Sequence, residues 1–246
     1  MRAALYYLPI VVLAVAWELA SRLGLVSTRV LPALSSVLKA WGTLLASGEL
    51  WSDAAASLWR AAAGLALSVV VGAALGIAMA WWRSLRALVN PLVEALYPLP
   101  KSALIPVTAL WLGFGDASKI LLIFLACMLP VTIGAFNGAR GCEQVIVWSA
   151  RSLGTSRARV LWDVVVPSAL PELLNGGRTA LALAFILLVT SELIASRDGL
   201  GHLIGSLGEA GVYDAMFAVV LTVAFLGFVA DRLYLAFANW MLRWRA

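Results

Sequence analysis

Charged side chains are scarce in this sequence: Asp, Glu, Lys and Arg make up 13% of its 246 residues, about half the roughly 25% usual in soluble domains. So low a share excludes a soluble globular domain and equally a self-solvating disordered chain. Histidine is nearly absent, with His202 alone, and cysteine is limited to Cys127 in an apolar run and Cys142 in a loop. Two cysteines cannot frame a disulfide scaffold, and neither has metal-ligand spacing, so no metal site is expected. An intramembrane enzyme would need a serine–histidine pair, paired aspartates or a histidine-rich site within the apolar runs, and none is present. No G-x-x-x-x-G-K-[ST] loop exists to cradle nucleotide phosphates, and Gly113-Phe114-Gly115 lacks the third glycine and the strand–turn–helix setting of a dinucleotide fingerprint. A self-sufficient secondary transporter or channel predicts an internal repeat and coupling-ion carboxylates at the midplane of two corresponding helices. No convincing repeat is seen, although six helices in a dimer could still make a pore, and this class stays as the lesser alternative.

What the chain has is apolar sequence, 63% of its residues with a mean hydropathy of +0.95. Crossing about 30 Å of hydrocarbon takes roughly 20 apolar residues. Stretches at 5–21, 58–82, 98–114, 118–137, 172–195 and 215–240 meet or approach that length. They predict an all-α polytopic membrane protein, one transmembrane domain over residues 1–246 with about six helices. Pro98, Pro100 and Pro106 punctuate the third stretch, which is expected to be short or kinked. Before it, Arg83 to Leu96 spaces its charges as a helix lying in the interface would. Arg29 to Asp53, with Trp41 and Trp51, reads as a short interfacial helix, and most tryptophans suit the headgroup belt. Ala14-Val15-Ala16 offers a signal-peptide cleavage site, but Trp17, Glu18 and Arg22 follow without a polar break, so the first helix is read as uncleaved.

Six crossings put both termini on one side. Arg2, Arg83, Arg86, Arg140, Arg151, Arg157, Arg159, Arg243 and Arg245 lie on that side, against Arg22, Arg29, Lys39, Lys119 and Arg197 on the other. The positive-inside rule then places both termini and the loop 140–171 in the cytoplasm. The net charge of +5 is thereby accounted for by orientation, without a nucleic-acid partner. In the second stretch Gly64, Ser68, Gly72, Gly76 and Ala80 recur every four residues, a smooth face for another helix, within the chain or in a second copy.

The loop 140–171 interrupts the apolar pattern and is the part most suited to a soluble partner. Glu143 to Ser152 and Ser156 to Val166 read as two short helices joined at Gly154-Thr155, with Thr155 or Ser156 as N-cap and Pro167 as the stop. In the second, Val160, Leu161, Val164 and Val165 share one side while Arg157, Arg159 and Asp163 face water or a partner.

Gly154 is followed by nine residues and then Val164-Val165-Val166-Pro167. This resembles the cytoplasmic signature of the inner-membrane permease subunits of bacterial ABC importers: E-A-A, three residues, G, nine residues, I-x-L-P. WELASRLG at 17–24, YPLPKSALIPVTALWLGFG at 97–115, GGRTALALA at 176–184, SELIAS at 191–196 and DGLGHLIG at 198–205 are similar to the nitrate, sulfonate and taurine subfamily. One departure stands out. Trp148, Ser149 and Ala150 occupy the E-A-A positions, and Glu143 is out of register to replace the missing acid.

The resemblance implies a non-catalytic membrane subunit, paired as a homodimer, with two ABC ATPase subunits docked at the loop. A periplasmic or lipid-anchored binding protein would deliver a small anion. The permease itself would bind no cofactor, ATP acting through the partner. Docking would involve Trp148, Ala150, Gly154, Thr155, Arg157, Val164 and Pro167. Similar permeases serve vitamins or their precursors, so that substrate class stays open beside sulfonates, taurine and nitrate.

Among polar residues in apolar surroundings, Glu192 is a translocation-path candidate because a carboxylate there costs about 2.5–3.5 kcal/mol on insertion scales; the alternative is a bond to a neighbouring helix. Lys101, between Pro100 and Ser102, is the second candidate, with headgroup anchoring as its alternative. Glu18 can snorkel, Arg178 reads as structural, and His202 as a packed or solvated loop residue.

Overall fold

The computed structural model describes residues 2–245, with side chains over residues 8–244; Met1, Ala246 and the side chains of Arg2 and Arg245 lie outside the described residues. Eleven α-helices make up the fold: α1 Arg2–Arg22, α2 Leu34–Ser47, α3 Glu49–Trp81, α4 Arg83–Leu96, α5 Ile105–Leu112, α6 Asp116–Arg140, α7 Gln144–Ser152, α8 Arg157–Val160, α9 Val166–Ala195, α10 Leu200–Glu209 and α11 Tyr213–Met241. No strand occurs among the described residues. Among the described residues four helical runs are long and apolar enough to cross a membrane: α3, α6, α11 and the continuous run Arg157–Ala195 that joins α8 to α9.

The centre of the bundle is α6, packed along α3 on one side and α9 on the other. Of its apolar window 44% is buried, against 22% for α11, which lies at the margin. The seam is a cluster of Ala61, Ile123, Cys127, Val131, Ala180, Ala184 and Leu188. Small residues let the backbones approach. A Cβ added at Gly72 would sit 3.0 Å from Met128 O, and at Gly64 2.7 Å from Ile123 Cγ2. The stripe from Gly64 to Gly76 thus meets α6 of the same chain. A second close approach was not read from the sequence: Gly134 of α6 against Gly176 of α9, where a Cβ on Gly134 would lie 2.5 Å from Glu172 O.

Two boundaries depart from the sequence expectation, and the third stretch is broken. The stretch 98–114 is not a straight crossing: a 3₁₀ turn, Lys101–Leu104, leads into α5, and helix ends at Gly113, φ 77°. The twelve residues from Lys101 to Leu112 rise about 18 Å, short of a full span. The second stretch begins earlier than 58, at Glu49, because Asp53 and Arg60 lower the hydropathy without breaking the helix. Pro167 is not a stop. Helix runs through it, and the π-helical turn Leu161–Val165 sits directly before it. Proline lacks the N–H for the ladder and its ring collides with the carbonyl four residues back; a widened turn absorbs both defects.

Tryptophan hydrogen bonds tie α1 to the α1–α2 connection and α2 to α11. Trp17 Nε1 donates to Pro32 O at 2.9 Å, and Trp41 Nε1 donates to Thr222 Oγ1 of α11 at 3.0 Å. Helix α2 has no side-chain cap of its own, so Glu18 supplies one by accepting from Ser35 N at 3.0 Å and Ser35 Oγ at 2.8 Å.

Candidate functional site

Two regions carry the polar chemistry, at opposite ends of the bundle. The first is the reversal between α7 and α8. Gly154 takes φ +83°, the left-handed region that glycine adopts without strain. Around it Thr155 N donates to Ala150 O at 3.1 Å and Gly154 N to Arg151 O at 3.0 Å, closing the C-terminus of α7. Ser156 then caps α8, its Oγ accepting from Arg159 N at 3.4 Å. The chain is turned by one glycine and restarted by one hydroxyl.

This reversal presents apolar side chains to the outside. Trp148 is 63% exposed, Leu153 86% and Trp162 67%. Gly154 and Arg157 are exposed beside them, while Ala150 and Thr155 are half-buried. The expected docking set is therefore split. Val164 packs inward on the cluster of Ala139, Cys142, Val165 and Ala169, and Pro167 lies in the first turn of α9. Leu153 and Trp162 were absent from that set; their signal was large apolar side chains in an otherwise polar loop.

At the other end, Arg60 of α3 is buried and gathers three carboxylates. Its Nη1 donates to Glu192 Oε1 of α9 at 2.8 Å, its Nε to Asp116 Oδ1 of α6 at 2.7 Å, and its Nη2 to Asp198 in the α9–α10 turn. Ser57 Oγ donates to Glu192 Oε2 at 2.7 Å. The same groups hold the start of α10, whose N-cap, Gly199, has no side chain to offer. Gly199 N donates to Asp53 Oδ1 at 2.8 Å, Leu200 N to Ser57 Oγ at 2.9 Å and Gly201 N to Glu192 Oε2 at 3.0 Å. Negative oxygens at a helix N-terminus also suit its dipole. Lys119, buried nearby on α6, donates to Phe114 O. The guanidinium of Arg60 holds the Asp198 carboxyl below the usual carboxylate range. Neither Arg60 nor Lys119 was singled out from the sequence, where Lys119 counted only as a loop charge.

Glu192 is fully buried and bonded on both oxygens, the arrangement of a tertiary anchor. Lys101 is not brought to it. The Lys101 ammonium donates to Leu99 O at 2.8 Å, Tyr97 O at 3.2 Å and Leu96 O, capping the carbonyl end of α4. Arg178 makes a two-pronged pair with Asp231 of α11, at 2.8 and 3.0 Å. His202 is half-buried within α10. No group of three or more metal-binding side chains occurs among the described residues.

Residues 68–243 match the family described as binding-protein-dependent transport system inner membrane component, a match that runs from within α3 past the end of α11 and includes the α7–α8 reversal. The chain belongs to this family. The permease is 38% identical over 225 residues to the taurine transport system permease protein TauC of Escherichia coli, covering 89% of this chain and 82% of that one. It is 35% identical over 244 residues to the putative aliphatic sulfonates transport permease protein SsuC of the same organism, covering 99% and 92% of the two chains. The SsuC protein of Bacillus subtilis is 33% identical over 238 residues, covering 97% and 86%. Among solved structures, an inward-facing conformation of the MetNI methionine ABC transporter superposes with a TM-score of 0.67 at 16% identity, over 78% of this permease and 96% of that chain. The fold is thus that of an ABC importer permease in the inner membrane.

Proposed function

We propose that this permease forms half of the translocation path of an importer for a small sulfonate-type anion, taurine among the candidates. A second copy supplies the other half. A binding protein delivers the solute, and separate ABC ATPase subunits hydrolyse ATP and dock at the α7–α8 reversal. In this reading both termini and that reversal face the cytoplasm, and the Arg60 cluster lies at the outer end. The observation that carries the docking is the reversal at Gly154, which leaves Trp148, Leu153 and Trp162 exposed on a polar loop. Exposed aromatic and leucine side chains beside arginine match the composition of interface centres. The relatives' taurine and sulfonate specificities support the substrate class.

The test is co-purification of tagged permease with its host's ATPases in mild detergent, comparing native protein with Gly154→Val. Nothing lies within 4 Å of a Cβ at Gly154, so a β-branched residue there disturbs only the left-handed backbone. Retention by the native chain with loss in the variant, and ATP hydrolysis stimulated by taurine with its binding protein, is the expected result. A native permease that retains no ATPase under conditions preserving other importers would overturn the docking. Retention without taurine or alkanesulfonate stimulation would overturn the substrate class alone.

A further inference from the structure

We propose that the loop end of the bundle carries a binding site for a phosphate group, occupied by the headgroup of an anionic phospholipid. Two adjoining cavities of about 270 Å³ each lie between the end of α3, the end of α6 and the α7–α8 reversal, with Trp81 and Val147 lining both. Arg86 and Arg140 line the first, Arg151 and Arg157 the second, and no carboxylate lines either. Among the described residues none of these four arginines forms an ion pair.

Two of the four are held in place by groups that leave their charge uncompensated. Arg86 donates through Nε to Met79 O at 3.0 Å and through Nη2 to Ala80 O at 2.9 Å, and its guanidinium stands 5.2 Å from the ring centre of Phe136. Arg140 stands over the same ring at 5.6 Å. Two guanidiniums on one aromatic ring repel each other, and a shared anion relieves that repulsion. A phosphate is the anion whose oxygens match guanidinium forks in charge and spacing. Basic pockets between transmembrane helix ends are where phospholipid headgroups are held.

The surroundings point to a lipid as the carrier of that phosphate. Helix α4 starts beside the second cavity, next to Trp82, which is 56% exposed. Along it Leu88, Leu92 and Leu96 are 69%, 58% and 45% exposed, spaced every four residues into one apolar stripe. A headgroup between the arginines with acyl chains along this stripe covers both features at once. Arg151 and Arg157 also belong to the reversal proposed to dock the ATPase, so lipid retention and ATPase retention are read separately in the variants.

The test is lipid retention by the delipidated, purified transporter, read by native mass spectrometry. Its probes are phosphatidylglycerol, phosphatidylcholine with the same acyl chains, and inorganic phosphate. The variants are Arg140→Gln with Arg151→Gln, leaving Arg86 intact because it caps α3, and Arg29→Gln as a charge-matched control at the opposite end. Phosphatidylglycerol should bind about tenfold or more tightly than phosphatidylcholine, and the double variant should lose about that factor while the control keeps it. An unaffected double variant, or equal retention of the two lipids with no displacement by inorganic phosphate, would overturn the site. Displacement by millimolar inorganic phosphate with no lipid preference keeps the phosphate site and overturns the lipid as its occupant. Unchanged lipid binding with loss of ATPase in the double variant overturns the proposal and assigns these arginines to the ATPase contact.

Discussion

Arg60 Nη1 and Glu192 Oε1 stand 2.8 Å apart with side-chain exposures of 2% and 0%, and they join α3 to α9 across 132 positions of sequence. The pair answers the insertion penalty of each partner with the charge of the other. Asp116 and Asp198, both more than half exposed, complete the set from α6 and the α9–α10 turn. One guanidinium therefore joins α3 to the start of α6, the end of α9 and the turn that leads into α10.

Removing the cation should be worse than neutralising its buried partner. Arg60→Ala leaves Glu192 buried without its counter-charge and should cost about 3–5 kcal/mol. Glu192→Gln removes the buried charge and keeps an acceptor for Gly201 N–H, so it should cost less. The combination Arg60→Met with Glu192→Gln should recover part of the loss. Thermal unfolding in detergent checks the order, and an Arg60→Ala protein as stable as the native one would remove the pair from the account of stability.

Acid should loosen the α9–α10 turn. Asp198 has its carboxyl lowered chiefly by the hydrogen bond from Arg60, so its ordinary unfolded-state value, about 3.9, lies above its folded one. The stabilisation is then complete above roughly pH 4 and is lost as pH falls through the folded value. Unfolding temperatures from pH 6 to 3 should fall for the native chain and fall less for Asp198→Asn. Parallel curves would show that other carboxylates set the acid limit.

Gly199 should be intolerant of any side chain. Its φ is +101°, and an added Cβ would lie 2.5 Å from Glu192 Cδ. Backbone strain of about 1–3 kcal/mol is expected from the first feature alone. Gly42→Ala, in open space within α2, should be neutral or stabilising by up to about 1 kcal/mol. Comparable unfolding temperatures for Gly199→Ala and native protein would contradict the observed packing of this turn.

Trp148 should matter to ATPase retention although the related signature has an acid there. Large aromatic side chains in interface centres typically contribute about 2 kcal/mol or more on truncation, roughly 30-fold in affinity. Trp148→Ala is expected to weaken the ATPase complex by about that factor, measured by dissociation on dilution in detergent. Stronger retention in Trp148→Glu than in native protein would instead show that the aromatic residue is a tolerated loss.

The loop was the most legible part of the chain. Local chemistry dictates Gly154 as the reversal, Ser156 as the cap and the inward face of Val160 and Val165, since each depends on neighbours within a turn or two. The third stretch was harder. Pro98, Pro100 and Pro106 announced a break, yet only the folded chain shows helix confined to Ile105–Leu112, because hydropathy measures oil solubility and not helical continuity. Pro167 misled for the opposite reason: proline marks a helix end unless the turn before it opens, and whether it opens is decided by packing.

Apolar content and its run lengths settled that this is a helical membrane protein, because partitioning depends on composition summed over about 20 residues and needs no partner. The spacing from Gly154 to Pro167, with the further pieces along the chain, pointed to its kinship, because such motifs are local. The tertiary structure alone decided what the polar residues do. Arg60, Asp116, Glu192 and Asp198 are scattered through the sequence and read singly as helix or loop charges. Lys101 and Glu192 look alike on paper as ions in oil, yet one caps a helix end and the other completes a buried ion pair. Charge in a low-dielectric bundle takes its meaning from the counter-charge a few ångströms away, and that distance is set only when the helices pack.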